Sequence, residues 1–274
     1  MSSTTKSPVG PAQLQGLADR LFDACASGVP IAPLRDELDG APVETAYAIQ
    51  EINTNRWLAS GARLVGRKIG LTAKSVQRQL GVDQPDYGML FDRMSVLSGD
   101  DIPAGSLLQP KVEAEIAFVL GRDVRSERLT IADVIGAVAY ALPALEIVDS
   151  RIAGWNIRIL DTVADNASSG LFVLGDRPVR LTDFDARLCG MTLQKNGESL
   201  SFGAGAAALG HPLHALLWLA ERMAAVGRPL GAGDVVLSGA LGPMIAALPG
   251  DRYEACINGL GSVAVNFAAA ATHG

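Results

Sequence analysis

Residues 110–120 read ProLysValGluAlaGluIleAlaPheValLeu, a run that alternates in character at first and then stays apolar to its end. This is a strand pattern, and period two puts Glu113 and Glu115 on one face of it, roughly 6–7 Å apart at about 3.3 Å per residue. Flanked by Val112, Ile116 and Phe118, two ionised carboxylates so placed are costly to bury unless a cation bridges them. An isolated GluXxxGlu is more often the acidic solvent face of an edge strand. A third carboxylate shifts the balance: Glu146 sits in AlaLeuProAlaLeuGluIleValAsp, an apolar strand in which an unpaired Glu has little excuse. An all-oxygen set of this kind suits Mg²⁺ or Mn²⁺.

The rest of the chain sets the frame. Residues 12–28 place Leu14, Leu17, Leu21, Phe22 and Cys25 at helical spacing before Gly28, and 44–60 form a second helical pattern ending at Gly61. Pro30, Pro33 and Pro42 separate them. From residue 63 the texture is β-like: strands are expected at 63–70, 144–148, 171–175, 234–238 and within 253–267. AsnGly at Asn196 and Gly197 marks a hairpin over 191–202. One further helix is expected over 211–226. Strands and helices do not alternate regularly, so a doubly wound parallel sheet is disfavoured and a mixed or antiparallel α+β architecture is expected. The length of 274 residues fits a helical segment over 1–62 followed by a β-rich catalytic domain over 63–274.

Charge and cysteines narrow the function classes. With 23 basic and 29 acidic side chains, net −6, there is no basic stripe to neutralise phosphates. The uncharged, apolar stretch 134–145 contains Pro143 and falls well short of the ~20 residues of a membrane span. Cys25, Cys189 and Cys256 are scattered and odd in number, which argues against a disulfide framework or a zinc site and fits a reducing cytoplasm. The amino terminus lacks the apolar core of a signal peptide and reads as a mobile tail.

Lysine is scarce, five against 18 Arg, so each is worth inspection. Lys68 lies in LeuValGlyArgLysIleGlyLeuThr, where it either has a depressed pKa and moves protons or snorkels to solvent. Asp86, in GlnProAspTyrGly, is on its own a turn former before it is a proton carrier. The polar run 165–170, AspAsnAlaSerSerGly, is a turn or helix start, or a ligand-facing wall. The loop SerGlyAlaLeuGlyPro at 238–243 offers backbone N–H groups to a carboxylate. Two patterns are discounted. Gly203, Gly205 and Ala208 match GxGxxA but follow a hairpin, not a βαβ unit, and His211 and His214 open a helix, where capping or packing is expected.

Taken together, GlyArgLysIleGlyLeuThr, GlyValAspGlnProAspTyrGly, ProLysValGluAlaGluIleAla, AspSerArgIle followed by AspThrValAlaAspAsnAlaSerSerGly, GlyAlaGlyAlaAlaAlaLeuGlyHisPro and SerGlyAlaLeuGlyPro occur in an order that resembles the 2-keto-4-pentenoate hydratases of the fumarylacetoacetate hydrolase superfamily. The resemblance runs from Pro33 to Phe267. It implies a fumarylacetoacetase C-terminal-like mixed β-sandwich or roll and a divalent metal, Mg²⁺ or Mn²⁺, on Glu113, Glu115 and Glu146. It places Lys68 and Asp86 at catalytic positions, and Leu71, Thr72, Ser168, Ser169, Ser238, Gly239 and Ala240 around the substrate. The implied reaction adds water to 2-hydroxypenta-2,4-dienoate, giving 4-hydroxy-2-oxopentanoate, in meta-cleavage breakdown of aromatic compounds. The implied assembly is a homo-oligomer, a pentamer or decamer. The sister 4-oxalocrotonate decarboxylases look alike around the metal, and IleLeuAspThrValAla with TrpAsnIle at Trp155 favours the hydratase side. A non-catalytic partner subunit is the third reading. Ser169 and Gly154 depart from the residues common at those positions in similar sequences, Cys and an acidic residue, and bear on substrate preference.

Overall fold

A computed structural model describes residues 9–74, 77–78 and 82–270. The chain opens with two helices, α1 (Pro11–Ser27) and α2 (Val43–Ala59), within a residue of their expected bounds. Gly28 ends α1 in the left-handed conformation, φ 70°, its N–H bonded to Ala24 O. The helices share a core of Leu17, Leu21, Leu34, Leu38 and Ile49, and that core continues onto Ile152, Val163 and Ala164 of the body. The seam is polar as well: the buried Asp161 carboxylate accepts from the N–H groups of Leu34 and Arg35 and pairs with the Arg35 guanidinium at 2.8 Å.

The body holds strands β1 (Leu64–Gly70), β2 (Asp86–Phe91), β3 (Ser95–Leu97), β4 (Asp101–Ile102), β5 (Pro110–Leu120), β6 (Val138–Asp149), β7 (Ser169–Leu174), β8 (Gly190–Lys195), β9 (Glu198–Ala204), β10 (Val235–Leu237), β11 (Ile245–Ala246), β12 (Arg252–Ile257) and β13 (Gly261–Phe267). Helices α3 (Ile131–Ala137), α4 (Ile159–Ala164) and α5 (Pro212–Ala225) lie between them. An eight-stranded sheet runs β2-β1-β10-β5-β6-β7-β3 with β11 added beside β5, and a five-stranded sheet runs β4-β13-β12-β8-β9. Pairing is antiparallel except at β1/β10, β3/β7 and β4/β13, so the fold is mixed α+β.

Strand β5 explains how the large sheet is built. Its even positions, Val112, Ala114, Ile116 and Phe118, enter the main core with Leu145, Ile147, Leu193, Tyr253 and the α5 residues Leu216 and Leu219. Its odd positions face the other way, where Ala117 and Val119 join Leu90, Leu142, Ala144, Phe172 and Leu237. Glu113 and Glu115 continue this second face beyond its apolar patch.

One local expectation changes and three hold. Strand β6 is longer than 144–148, because Pro143 is accommodated inside it opposite Ile116 while its carbonyl accepts from Gly175 N–H at 2.8 Å. Gly175 leaves room for the ring: a Cβ there would meet Pro143 Cγ at 2.7 Å. Asn196 and Gly197 form the hairpin turn with positive φ at both, 53° and 84°. The glycines of the GxGxxA pattern serve close backbone approach. A Cβ on Gly203 would lie 1.7 Å from Leu241 O, and one on Gly205 would lie 1.8 Å from Ala186 O. His211 caps α5, its Nδ1 accepting from Leu213 N–H at 3.1 Å.

Candidate active site

Glu113 and Glu146 are direct partners across the β5/β6 ladder, and Glu115 is one step along the same face. Each of the three carboxylates offers an oxygen, and these oxygens all lie within 4.8 Å of one another. Glu115 and Glu146 are 0% and 1% exposed, whereas Glu113 keeps some open surface at the edge of the cluster. Glu115 Oε2 accepts from Gly239 N–H at 2.7 Å. Its Oε1 and Glu146 Oε2 are buried with no hydrogen-bond partner. Orphaned anionic oxygens in such a place carry a heavy desolvation cost. An all-oxygen donor set that converges at this spacing fits a hard divalent cation.

One cation of the chain already reaches the cluster. The Lys68 ammonium lies 2.8 Å from Glu146 Oε1, a buried ion pair. Lys68 is 3% exposed, so it neither snorkels nor has the depressed pKa that its apolar neighbours suggest. Burial alone pulls the ammonium pKa down, but Glu146, Asp86 and Glu113 outweigh burial and leave it raised. Asp86 is not a turn residue. It is the buried first residue of β2, opposite Gly70, and burial, opposed by Lys68, lifts its carboxyl to about 6. Gly70 makes the space, since a Cβ there would lie 2.1 Å from Asp86 Oδ1. Burial first, then the charge of Glu146, pushes Glu113 up to about 7 and Glu115 well above the carboxylate range.

The expected substrate contacts divide. Leu71 turns the chain out of β1 at φ 55°, and the buried Thr72 side chain fills the space over Gly239, whose φ of 98° suits only glycine. The Ser238 hydroxyl is buried without a partner beside this group, and Ala240 is half-buried. Three loop amides are committed: Ser238 N–H bonds Ile116 O, Gly239 N–H bonds Glu115 and Leu241 N–H bonds Ala114 O. These amides thus fix Glu115 and strand β5. Ser169 donates its hydroxyl to Asn166 O at 2.7 Å and stands over Gly88, next to Lys68 in the β1/β2 register. Ser168 turns to Thr162, hydroxyl to hydroxyl at 3.3 Å.

Lys111 escaped the sequence reading although the same period-two argument reaches it. It shares the Glu113 face, one step outward, with its ammonium 4.2 Å from the centroid of the Trp155 ring. Asn166 and Arg151, which hold the Ser168–Ser169 turn, were also missed; Asn166 bonds Met89, 77 positions away, and Arg151 bonds Asp165 and Ser169, 14 and 18 positions on.

Comparison with known proteins finds relatives over nearly the whole chain. Residues 62–268 fit the family model described as fumarylacetoacetate (FAA) hydrolase C-terminal. The 2-keto-4-pentenoate hydratase 1 of Dechloromonas aromatica (strain RCB) is 61% identical over 254 residues, covering 93% of this chain and 97% of that protein. The 2-hydroxyhexa-2,4-dienoate hydratase of Comamonas testosteroni is 43% identical over 250 residues, 90% and 95% of the two chains. Among solved structures, 4-oxalocrotonate decarboxylase from Pseudomonas putida G7, complexed with magnesium and adipate, superposes with a TM-score of 0.92 at 34% identity, covering 96% of this chain and all of that one.

Proposed function

The chain belongs to the fumarylacetoacetate hydrolase superfamily, among its 2-keto-4-pentenoate hydratases, and from that premise we propose how its residues hydrate 2-hydroxypenta-2,4-dienoate to 4-hydroxy-2-oxopentanoate in aromatic catabolism. The observation that carries the site assignment is the convergence of three carboxylates, Glu113, Glu115 and Glu146, with Glu115 Oε1 and Glu146 Oε2 buried and unpartnered and Lys68 and Asp86 at their edge. Glu113, Glu115 and Glu146 would hold a divalent cation, Mg²⁺ or Mn²⁺, which would supply positive charge against the negative charge that develops on the substrate.

The chain's own groups move the protons. In the first stage the 2-hydroxyl proton of the dienol is lost and C5 gains one, giving a 2-oxo-3-enoate. In the second, the oxygen of water joins C4 and a proton joins C3. Asp86, at about 6, accepts and returns a proton near neutral pH. The Lys68 ammonium, held positive by its carboxylate neighbours, donates toward the developing anion. Thr72, Ser169 and the free Ser238 hydroxyl line the ligand, and buried walls keep bulk water out. Leu97, Leu188, Phe202 and Leu248, each at least 60% exposed, suit a homo-oligomeric interface. Three unpaired cysteines suit a reducing cytoplasm.

The test is metal-dependent loss of dienol ultraviolet absorbance with the purified chain alone. Retained activity and retained cation in Glu113→Gln and Glu146→Gln would overturn the assignment. Release of CO₂ from 4-oxalocrotonate, without hydration, would move the chain to the decarboxylase side. No reaction with either substrate would make it a non-catalytic partner subunit.

A further inference from the structure

Between α4 and β7 the backbone does something costly: Asn166, Ala167 and Ser168 are consecutive non-glycine residues in the left-handed region, φ 54°, 52° and 54°. The turn they form carries Asn166 O and Ser169 Oγ to the face of Gly88, where a Cβ would lie 2.3 Å and 2.6 Å from them. Gly88 is the β2 partner of Lys68, so this turn is the wall beside the lysine. Ala167 and Ser168 are buried at its centre, and a cavity of about 320 Å³, lined by Asp165, Asn166 and Ser169 and by Trp57 and Phe91, adjoins it. Something specific must hold the strained backbone in place.

Two side chains do so. Asn166 inserts its amide into β2 as a surrogate strand residue: its Oδ1 accepts from Met89 N–H at 2.7 Å and its Nδ2 donates to Met89 O at 2.9 Å. Arg151, buried to 8% exposure, clips both ends of the turn, donating Nη2 to Asp165 O at 2.6 Å and Nη1 to Ser169 O at 2.7 Å. The Asp165 carboxylate completes the clip by accepting from Arg151 Nε and the Arg151 N–H. We infer that Asn166 and Arg151 are positioning residues of the hydration reaction. They hold a strained left-handed turn against β2 so that Ser169 and the turn carbonyl meet the substrate beside Lys68.

The inference rests on the hydratase reading, so its test carries one readout that needs no activity. Asn166→Gly tolerates the left-handed backbone but lacks the clamp, Asn166→Ala lacks both, and Asn166→Asp keeps only the acceptor for Met89 N–H. In the full chain saturated with Mg²⁺, Gly and Ala are both expected to lose kcat 10- to 100-fold, with KM and cation affinity changed less than threefold and Asp between them and wild type. Amide hydrogen exchange at Met89 and across 166–169 should accelerate at least tenfold in Asn166→Gly, while β12 and β13 stay protected. An Asn166→Gly enzyme with wild-type kcat and wild-type Met89 protection overturns the clamp. A wild-type chain that hydrates nothing sinks the hydratase reading instead, and the exchange rates then decide the clamp alone.

Discussion

Lys68 and Glu146 stand three strands apart in the order β1-β10-β5-β6, yet their charged ends lie 2.8 Å from each other. Across a flat sheet, three strand spacings come to about 14 Å, beyond the combined reach of the two side chains. The contact therefore reports the curl of the eight-stranded sheet, which brings the β1 lysine over the carboxylates of β5 and β6. Curvature is what turns a row of strand residues into a site.

Lys68→Met separates the two roles of that lysine. Removing one partner of a buried ion pair costs about 3–5 kcal/mol, so the metal-free variant should melt well below wild type. Added Mg²⁺ should restore more of the loss than it adds to wild type, because the cation now meets a triad with no competing ammonium. Hydration should fall by about 10²–10⁴, the usual contribution of a positioned proton donor. A variant whose melting temperature is low with and without Mg²⁺ would place Lys68 outside the cation's field.

The metal-free triad should make stability depend on pH. Glu113 rises from the ordinary 4.5 to about 7 on folding, and Glu115 rises further, so the native state holds protons that the unfolded chain releases. The stabilisation is fully present below 4.5 and is lost as pH rises through about 7, worth about 3 kcal/mol for Glu113 alone at 1.36 kcal/mol per unit. A divalent cation binds the deprotonated form, so the rise in melting temperature on adding Mg²⁺ should be small at pH 5 and large at pH 8. Thermal melts with and without Mg²⁺ at four pH values measure this. Equal rises throughout would show that the carboxylates are ionised without metal. Glu113→Gln should flatten the trend.

How far the sequence exposes this site depends on how local the physics is. The triad was legible because period two and the cost of burying charge act within a few residues of Glu113, Glu115 and Glu146. The partner of Lys68 was not, because nothing near residue 68 encodes the curl of the sheet, and the lysine's pKa direction was misjudged for the same reason. Asn166 read as an ordinary turn residue, since its two bonds go to Met89, 77 positions away. Strand β2 was missed because Pro85 and Gly88 look like turn formers; Gly88 is there for the clearance that the 166–168 turn demands.

That clearance predicts a sharp steric effect. In Gly88→Ala the new Cβ would lie 2.3 Å from the Asn166 carbonyl, which is backbone, so the turn or β2 must shift. Forced shifts of this kind cost about 1–3 kcal/mol. Hydration should fall at least tenfold even where the variant is folded. Gly190→Ala, also in a strand but with nothing within 4 Å of its Cβ, is the control and should keep both stability and rate.

Lys111 should act on substrate capture. Its ammonium sits on the Trp155 ring at the outer edge of the carboxylate face, and burial lowers its pKa. An anionic dienoate approaching an acidic cluster meets this cation on the way. Lys111→Met should raise KM about 3- to 5-fold with kcat little changed, the size of one exposed charge contact of up to about 1 kcal/mol. The KM difference should shrink at high salt, where the attraction is screened. A kcat defect with unchanged KM would assign Lys111 to the chemistry instead.

The helical segment should matter to the site through Asp161. Its carboxylate, 0% exposed, accepts from the N–H groups of Leu34, Arg35 and Arg158 and pairs with the Arg35 guanidinium, so one buried acid ties the α1–α2 connection to the first turn of α4. Asp161→Ala leaves three amides and a guanidinium short of their acceptor, a loss of about 3–5 kcal/mol for a buried pair broken on one side. Helix α4 runs directly into the strained 166–168 turn, so loosening its start should disturb that turn before the sheets melt. Activity should therefore disappear several degrees below the circular-dichroism midpoint in the variant, while in wild type the two temperatures coincide. Coincident temperatures in the variant would show that the turn is held by Asn166 and Arg151 without help from the helical segment.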